Sequence, residues 1–325
     1  MTSWKDRRVL VTGGAGFIGH RLVLKLVDEG AEVIVADDLS KGKEANLRPV
    51  IDKIDLLRDD LLQDENAKAA MKRVEVCFHL AARIGGIGYF HKTPALSLRD
   101  NTIITLNLWD AAVQNDTEMV YLSSSMVFER TSNFPTSETA IRESPPPLTG
   151  YGFSKLTGEY IATTYYEQFG TKYLIVRPFN AYGPGEVAGD YPGYAHVIPD
   201  LAQKALSGQY PLEILGAGNQ IRSYTYVDDI ADAILFLTER TKNDDFNIGT
   251  GRETRVIDLA RMIWSLCGRK EKFAVTTLPG YQYDVQKRVP DITKIRSMGW
   301  TPKVPLEQGL ASTVEWVRAR RSRSS

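Results

Sequence analysis

Thr12-Gly13-Gly14-Ala15-Gly16-Phe17-Ile18-Gly19 is the stretch on which the fold turns. It follows the apolar run Arg8–Thr12 (RVLVT), which reads as a β-strand. It opens Phe17–Glu29, where Leu22, Val23, Leu26 and Val27 mark one face of a helix that Gly30 stops. Gly14, Gly16 and Gly19 match G-x-G-x-x-G, which alone is weak evidence because glycine-rich turns are common. The context strengthens it: a strand before, a helix after, and the acidic pair Asp37-Asp38 about 20 residues on, at the end of a second strand, Glu32–Asp37. The first glycines permit a tight turn, Gly16 lets the backbone approach a pyrophosphate, and Gly19 lets helix pack on strand. The helix N-terminus adds unpaired N–H groups and the positive end of its dipole. Gly13, Gly16, Phe17, Ile18 and Gly19 are therefore candidate contacts to a dinucleotide. A carboxylate at Asp37 or Asp38 accepts adenosine ribose hydroxyls and repels a 2′-phosphate, which favours NAD, although Lys41 and Lys43 pull the other way.

The same alternation continues outward. Val74–Leu80, Met119–Ser123 and Tyr173–Val176 read as strands, and Thr102–Gln114 and Gly152–Phe169 as helices. Strands separated by helices imply an α/β, doubly wound parallel sheet with right-handed crossovers. Ser223–Asp229 followed by Ile230–Thr238 reads as a strand and helix returning to that sheet. Ahead of them, Ala181–Tyr194 is rich in glycine and proline and reads as a loop beside a ligand. The C-terminal third is irregular around one helical pattern, Val256–Leu266. The expected organisation is a dinucleotide-binding domain of residues 1–180 and 221–250, and a second, smaller α+β domain of residues 181–220 and 251–325.

Composition narrows the function classes. The chain has 325 residues, 43% hydrophobic and 25% charged, enough for two domains at roughly 100–200 residues each. Forty basic residues balance forty acidic ones, so there is no global electrostatic case for a nucleic-acid or membrane partner. The run Arg318, Arg320, Arg321, Arg323 reads as a solvated, frayed tail. Cys77 and Cys267 are too few and too far apart for a disulfide scaffold or a cysteine zinc site, and Cys77 lies in an apolar run as a buried thiol. The four histidines form no HExxH, so no metal site is expected. No run of about 18 apolar residues suggests a membrane span, and the N-terminus enters a strand pattern without a signal peptide. The expectation is a cytoplasmic protein.

Tyr151-Gly-Phe-Ser-Lys155 places a phenol and an ammonium four residues apart on one helix face. A phenol with an ordinary pKa near ~10 becomes a usable base when an ammonium and a nicotinamide cation lie beside it. Ser123-Ser124-Ser125 ends a strand at the carboxyl edge of the sheet, where sites of α/β proteins lie. Ser124 there can hold the substrate oxygen beside Tyr151.

With these residues in place, the chain resembles the extended short-chain dehydrogenase/reductases that act on nucleotide sugars. The likeness runs through TGGAGFIG, the acidic pair, HLAA (His79–Ala82), Asn101, the Ser124/Tyr151/Lys155 triad, RPFNAYGPG (Arg177–Gly185), RSYTYVDD (Arg222–Asp229) and PDITK (Pro290–Lys294). It implies a Rossmann sheet, bound NAD, a nucleoside diphosphate–sugar substrate and a C-terminal substrate domain. It implies that Leu80, Ala81 and Ala82 line the dinucleotide, that Asn101 sits near it, and that Pro178 and Phe179 pack by the nicotinamide with Tyr151 and Lys155. On the substrate side it implies Ser125, Met126, Asn180, His196, Arg222 and Arg288, the two arginines clamping a diphosphate.

The resemblance spans several reactions. UDP-glucose 4-epimerase-like chemistry needs little beyond the triad, and C4 epimerisation is the leading expectation. The 4,6-dehydratases carry Thr-Asp-Glu where this chain has Ser124-Ser125-Met126, which disfavours dehydration. AARIGGIG (Ala81–Gly88) and His196-Val-Ile-Pro199 look like GDP-mannose 3,5-epimerase and GDP-fucose synthase, so 3,5-epimerisation or ketosugar reduction through His196 is the alternative. Those enzymes use a cysteine where this chain has Met126, and methionine cannot transfer a proton. A non-catalytic NAD-binding scaffold is the remote alternative. In relatives, two helices from each subunit form a four-helix dimer interface. Leu106, Leu108, Trp109, Tyr160, Tyr165 and Tyr166 would form it here, giving a homodimer.

Overall fold

Short strands rich in Val, Ile and Leu are buried on both faces and build the centre of the protein, as expected of parallel strands covered by helices. The computed structural model describes residues 4–188, 195–281 and 284–322. Strands β1 (Arg8–Thr12), β2 (Glu32–Ala36), β3 (Ile54–Leu57), β4 (Val76–His79), β5 (Glu118–Leu122) and β6 (Tyr173–Pro178), with Asp244–Ile248, form one seven-stranded sheet. From one edge the order is Asp244–Ile248, β6, β5, β4, β1, β2, β3, and every pair is parallel. The order reverses between β1 and β4, and a crevice opens there at the carboxyl edge.

In chain order the helices are α1 (Gly19–Asp28), α2 (Asp64–Ala70), α3 (Ile87–Lys92), α4 (Pro94–Asn115), α5 (Gly150–Phe169), α6 (Val197–Leu206), α7 (Val227–Thr238), α8 (Val256–Leu266), α9 (Thr293–Ser297) and α10 (Leu306–Ser322). Helices α1 and α7 seal one face of the sheet through Leu22, Leu26, Ile230 and Ile234. On the other face, α2, α4 and α5 pack through Ala67, Leu108, Trp109 and Ile161. A third core lies beyond the sheet, where α6, α8 and α10 meet through Leu201, Leu259, Ile263, Leu310 and Val314. Small two- and three-stranded sheets carry the chain between these cores, among them Leu212–Leu215 paired with Val275–Leu278.

Several expectations change. Ser223–Asp229 does not return to the main sheet: Thr225–Tyr226 pairs only with Ala181–Tyr182, and α7 begins at Val227. The returning strand is Asp244–Ile248, whose acidic residues hide its strand character because they pair with Arg177 and Lys294. The run Arg318, Arg320, Arg321 is not a frayed tail but part of α10, anchored by apolar residues at helical spacing and by Arg318 donating to the Leu266 carbonyl at 3.2 Å. Arg323 lies outside the described residues, as do residues 189–194 of the glycine-rich loop. Leu108 and Trp109 are fully buried in the chain's own core and cannot form a dimer face. Both cysteines are free, and burial pushes the Cys77 thiol well up. Among the described residues no helix is long and apolar enough to cross a membrane, and no cluster of side chains could hold a metal.

Candidate active site

A cleft of about 890 Å³ follows the carboxyl edge of the sheet from the Asp37 loop to the third core. That is large for a small-molecule site, at the upper end of the roughly 300–1,000 Å³ usual for such pockets. The glycine turn forms its floor. Gly13 has φ +68°, and a Cβ there would lie 2.8 Å from the Ala81 nitrogen; one on Gly19 would lie 2.1 Å from the Gly13 oxygen. Only glycine allows these approaches. The start of α1 has no side-chain cap; His20 N and Arg21 N bond to the Gly16 and Ile18 carbonyls, and the helix start ahead of them faces the cleft with the positive end of its dipole toward an anionic ligand. These features fit the pyrophosphate of a dinucleotide.

The walls of the turn are pinned from three sides. The Asp37 carboxylate accepts from Ala15 N and Leu39 N, both at 2.9 Å, while burial holds its pKa above the usual carboxylate range. Asp38 holds Ser40 by its backbone and hydroxyl. Thr12 Oγ1 accepts from Leu80 N and Ala81 N, so its proton goes to His79 Nδ1 at 3.0 Å. The His79 Nε2–H then faces Thr105 Oγ1 at 3.1 Å, which fixes the neutral tautomer. Burial and the Lys155 charge keep His79 neutral. Asn101 accepts from Arg83 N at 2.7 Å and donates to Ser154 Oγ at 3.2 Å. It does not reach the cleft wall; it anchors the loop that forms it. The other candidate residues all line the cleft, Phe17, Ile18, Leu80, Ala82, Ser125 and Pro178 among them. Phe179 is fully buried behind it, near Phe128.

The triad sits where β5 ends against α5. Thr149 caps α5 by accepting from Gly152 N at 3.1 Å, and Glu129 holds Thr149 by backbone and hydroxyl. This sets Tyr151 and Lys155 on the face toward the sheet. Lys155 Nζ donates to the Leu122 carbonyl at 2.7 Å, and burial pushes its pKa down to about 7 against the pull of Glu159. Burial pushes the Tyr151 phenol up to about 12, opposed by a hydrogen bond with Ser124 and the Arg288 charge. Phe90 lies parallel to the Tyr151 ring, 4.5 Å between centroids, and Met126 completes this apolar box. Beneath the triad, Arg177 grips both Glu159 oxygens at 2.7 Å, and Ser123 Oγ donates to Glu159 at 2.5 Å.

The far end of the cleft is cationic. Arg222 and Arg288 are neighbours in register on adjacent strands. Arg222 pairs with Asp284 at 3.0 Å, whereas the buried Nε of Arg288 has no partner among the described residues. Burial and then Arg222 push the Arg288 pKa down to about 9. Asn180, at φ +42°, donates to the Ser223 carbonyl at 2.8 Å. His196 stands at the start of α6 with its Nδ1 on the Glu186 carboxylate. Sequence reasoning missed Phe90, Glu186, Gln220, Asp284 and Trp316, which also line the cleft. Glu186 lies in the glycine-rich loop and Trp316 on α10, whose arginines mask its apolar spacing; for Phe90, Gln220 and Asp284 no motif or spacing points to the cleft.

Fold and site together define a dinucleotide-dependent enzyme of the doubly wound class. The sequence profile of the NAD dependent epimerase/dehydratase family matches residues 9–249, and the chain belongs to that family. It is 34% identical to the UDP-glucose 4-epimerase of Thermotoga maritima, solved with UDP-glucose, with a TM-score of 0.87 and 97% of this chain and 99% of that one covered. DesIV of Streptomyces venezuelae, a dTDP-glucose 4,6-dehydratase solved with NAD bound, is 27% identical, with a TM-score of 0.87 over 97% and 98% of the two chains. UDP-glucuronic acid decarboxylase 1 of Xenopus tropicalis is 31% identical over 322 residues, 97% of this chain and 73% of that protein. The cofactor is NAD.

Proposed function

We propose that the chain epimerises C4 of a nucleoside diphosphate sugar through a transient 4-keto sugar. The observation that carries this reading is Met126, buried in the box around Tyr151. Elimination of water at the neighbouring carbons needs a further acid or base beside the phenol, and a thioether can be neither.

NAD, held by the glycine turn, Asp37 and the wall at Leu80–Ala82, would supply a reversible hydride acceptor for C4. Tyr151 Oη accepts the O4 proton as the carbonyl forms and gives it back when the carbonyl is reduced. Lys155, near its midpoint at neutral pH, stabilises the phenolate when protonated. Ser124 holds O4 on the other side of the phenol. Arg222 and Arg288 hold the diphosphate while the keto sugar turns its other face to the cofactor, and the unpaired Arg288 Nε marks the place of an anion. Residues 1–180 and 221–250 serve the cofactor in this reading, and 181–220 and 251–325 the nucleotide sugar.

The Glu186–His196 pair on the cleft wall favours a second reading, 3,5-epimerisation or ketosugar reduction of a GDP-sugar with His196 as acid. Turnover of a nucleotide-sugar panel in D2O separates the two. An epimer of unchanged mass without carbon-bound deuterium supports C4 chemistry. Deuterium at C3 or C5 shows enolisation and removes it.

The reading includes a homodimer. Ile103 and Leu106 on α4, and Phe153, Tyr160 and Tyr166 on α5, are exposed, Tyr160 by 66%. Two such faces together make a four-helix interface. Light scattering of a stable monomer at micromolar concentration would count against it.

A further inference from the structure

Behind the cleft wall, hydrogen bonds run without a break from β1 to the start of α5. Leu80 N and Ala81 N, in the wall itself, donate to Thr12 Oγ1 at 3.2 and 3.1 Å. Thr12 Oγ1 lies 3.0 Å from His79 Nδ1, and His79 Nε2 lies 3.1 Å from Thr105 Oγ1. One turn back on α4, the Asn101 carbonyl accepts from Thr105 Oγ1 at 2.7 Å. The Asn101 side chain accepts from Arg83 N at 2.7 Å and donates to the Arg83 carbonyl and to Ser154 Oγ. Ser154 Oγ donates to the Tyr151 carbonyl at 2.7 Å. Thr12, His79, Asn101, Thr105 and Ser154 are at most 4% exposed, and none of them lines the cleft.

The protons of this chain can be placed in only one way. Thr105 spends its hydroxyl proton on the Asn101 carbonyl, so its oxygen takes the His79 Nε2–H. His79 Nδ1 is then an acceptor, and it takes the Thr12 hydroxyl proton, which leaves the Thr12 oxygen to the two wall amides. Ser154 gives its proton to Tyr151 O and receives one from Asn101. Apolar side chains would fill the same space with no polar group to desolvate. A polar chain in which every member is satisfied instead specifies a single arrangement of the elements it joins.

We propose that Thr12, His79, Thr105, Asn101 and Ser154 form one positioning unit that holds the cofactor wall at Leu80–Arg83 and the start of α5 in a fixed register, so that NAD meets both walls already set. The inference rests on Tyr151 and Lys155 as contacts of the cofactor and not on C4 chemistry.

The alternative is local support, in which each bond steadies only its own element. The two differ in how breaks combine. A unit broken once has lost its register, so a second break adds little. Independent supports add.

The experiment titrates NAD into the NAD-free full chain by calorimetry, without sugar substrate. Thr105→Val removes the link between His79 and Asn101, and Ser154→Ala removes the link between Asn101 and Tyr151. Each is expected to weaken NAD binding about 3- to 10-fold, the worth of one neutral hydrogen bond. The double variant should bind no more weakly than the weaker single one, whereas independent supports would weaken it about 10- to 100-fold. Thr105→Ser, which keeps the hydroxyl, should restore binding to within a few-fold of the parent. Thermal unfolding of the NAD-free forms checks that each variant folds. His79→Phe fills the same space without either nitrogen and replaces Thr105→Val in the cycle if that variant does not fold. Parental NAD affinity in either folded single variant, a double variant as weak as the product of the two, or no restoration by Thr105→Ser overturns the unit. Because no sugar is present, failure of the C4 reading leaves this result untouched.

Discussion

Replacing Lys155 with methionine should abolish turnover and yet stabilise the NAD-free protein at neutral pH. Lys155 is only 3% exposed, so solvent does little to screen its charge. Burial brings its pKa from the ordinary 10.5 down to about 7 in the folded chain. Between those values the unfolded chain holds the proton and the folded chain does not. Wild-type stability therefore rises with pH from about 7 to about 10.5 and is flat below that window. At roughly 1.36 kcal/mol per pKa unit the swing is on the order of 5 kcal/mol. K155M has no such slope, but it leaves the Leu122 carbonyl without its partner, a pH-independent cost of roughly 1–2 kcal/mol. The variant should thus be more stable by about 3 kcal/mol at pH 7 and less stable by about 1 near pH 10.5. Urea unfolding of both NAD-free proteins across this range measures the difference, in which all other titrations cancel. A difference that does not change with pH, or one that grows in favour of K155M as pH rises, would refute the argument.

Tyr151→Phe should keep NAD bound and lower kcat by about 10²–10⁴, the usual worth of a positioned acid–base group, as read in steady-state assays with NAD content checked by acid release. Arg288→Met should weaken nucleoside diphosphate binding about tenfold or more by calorimetry. Gly19→Ala should purify without NAD or fail to fold, since its Cβ would meet the Gly13 oxygen at 2.1 Å; stoichiometric NAD in the folded variant would contradict the geometry.

What could be read from sequence followed local physics. TGGAGFIG was legible because each glycine answers a close approach within a few residues, and Tyr151/Lys155 because helical spacing alone brings them together. The strand Asp244–Ile248 was not, since DDFNI lacks apolar alternation and its acids are balanced by Arg177 and Lys294 from distant segments. Helix α10 was missed for a related reason: arginines dominate its last turns, while Leu306, Leu310, Val314 and Val317 hold it to the third core. Asn101 was placed near the cofactor by likeness, yet its amide spends its bonds on Arg83 and Ser154. Phe90, Glu186 and Asp284 act through contacts that no spacing rule encodes.

The cations of the cleft show one design. Lys155, Arg222 and Arg288 all have pKa values lowered chiefly by burial. Their counter-charges are incomplete: Glu159 is committed to Arg177, Asp284 is shared between Arg222 and Gln220, and among the described residues one nitrogen of Arg288 has no partner. A site with complete ion pairs would be more stable empty and would have to break those pairs to admit a diphosphate. In the proposed function the arriving phosphates supply the missing negative charge. The phenol responds the other way. Tyr151, held up near 12 by burial, loses its proton more easily as positive charge gathers around it. In the proposed reaction the base is therefore generated by loading the site, which confines proton removal to the complex in which a hydride acceptor is present.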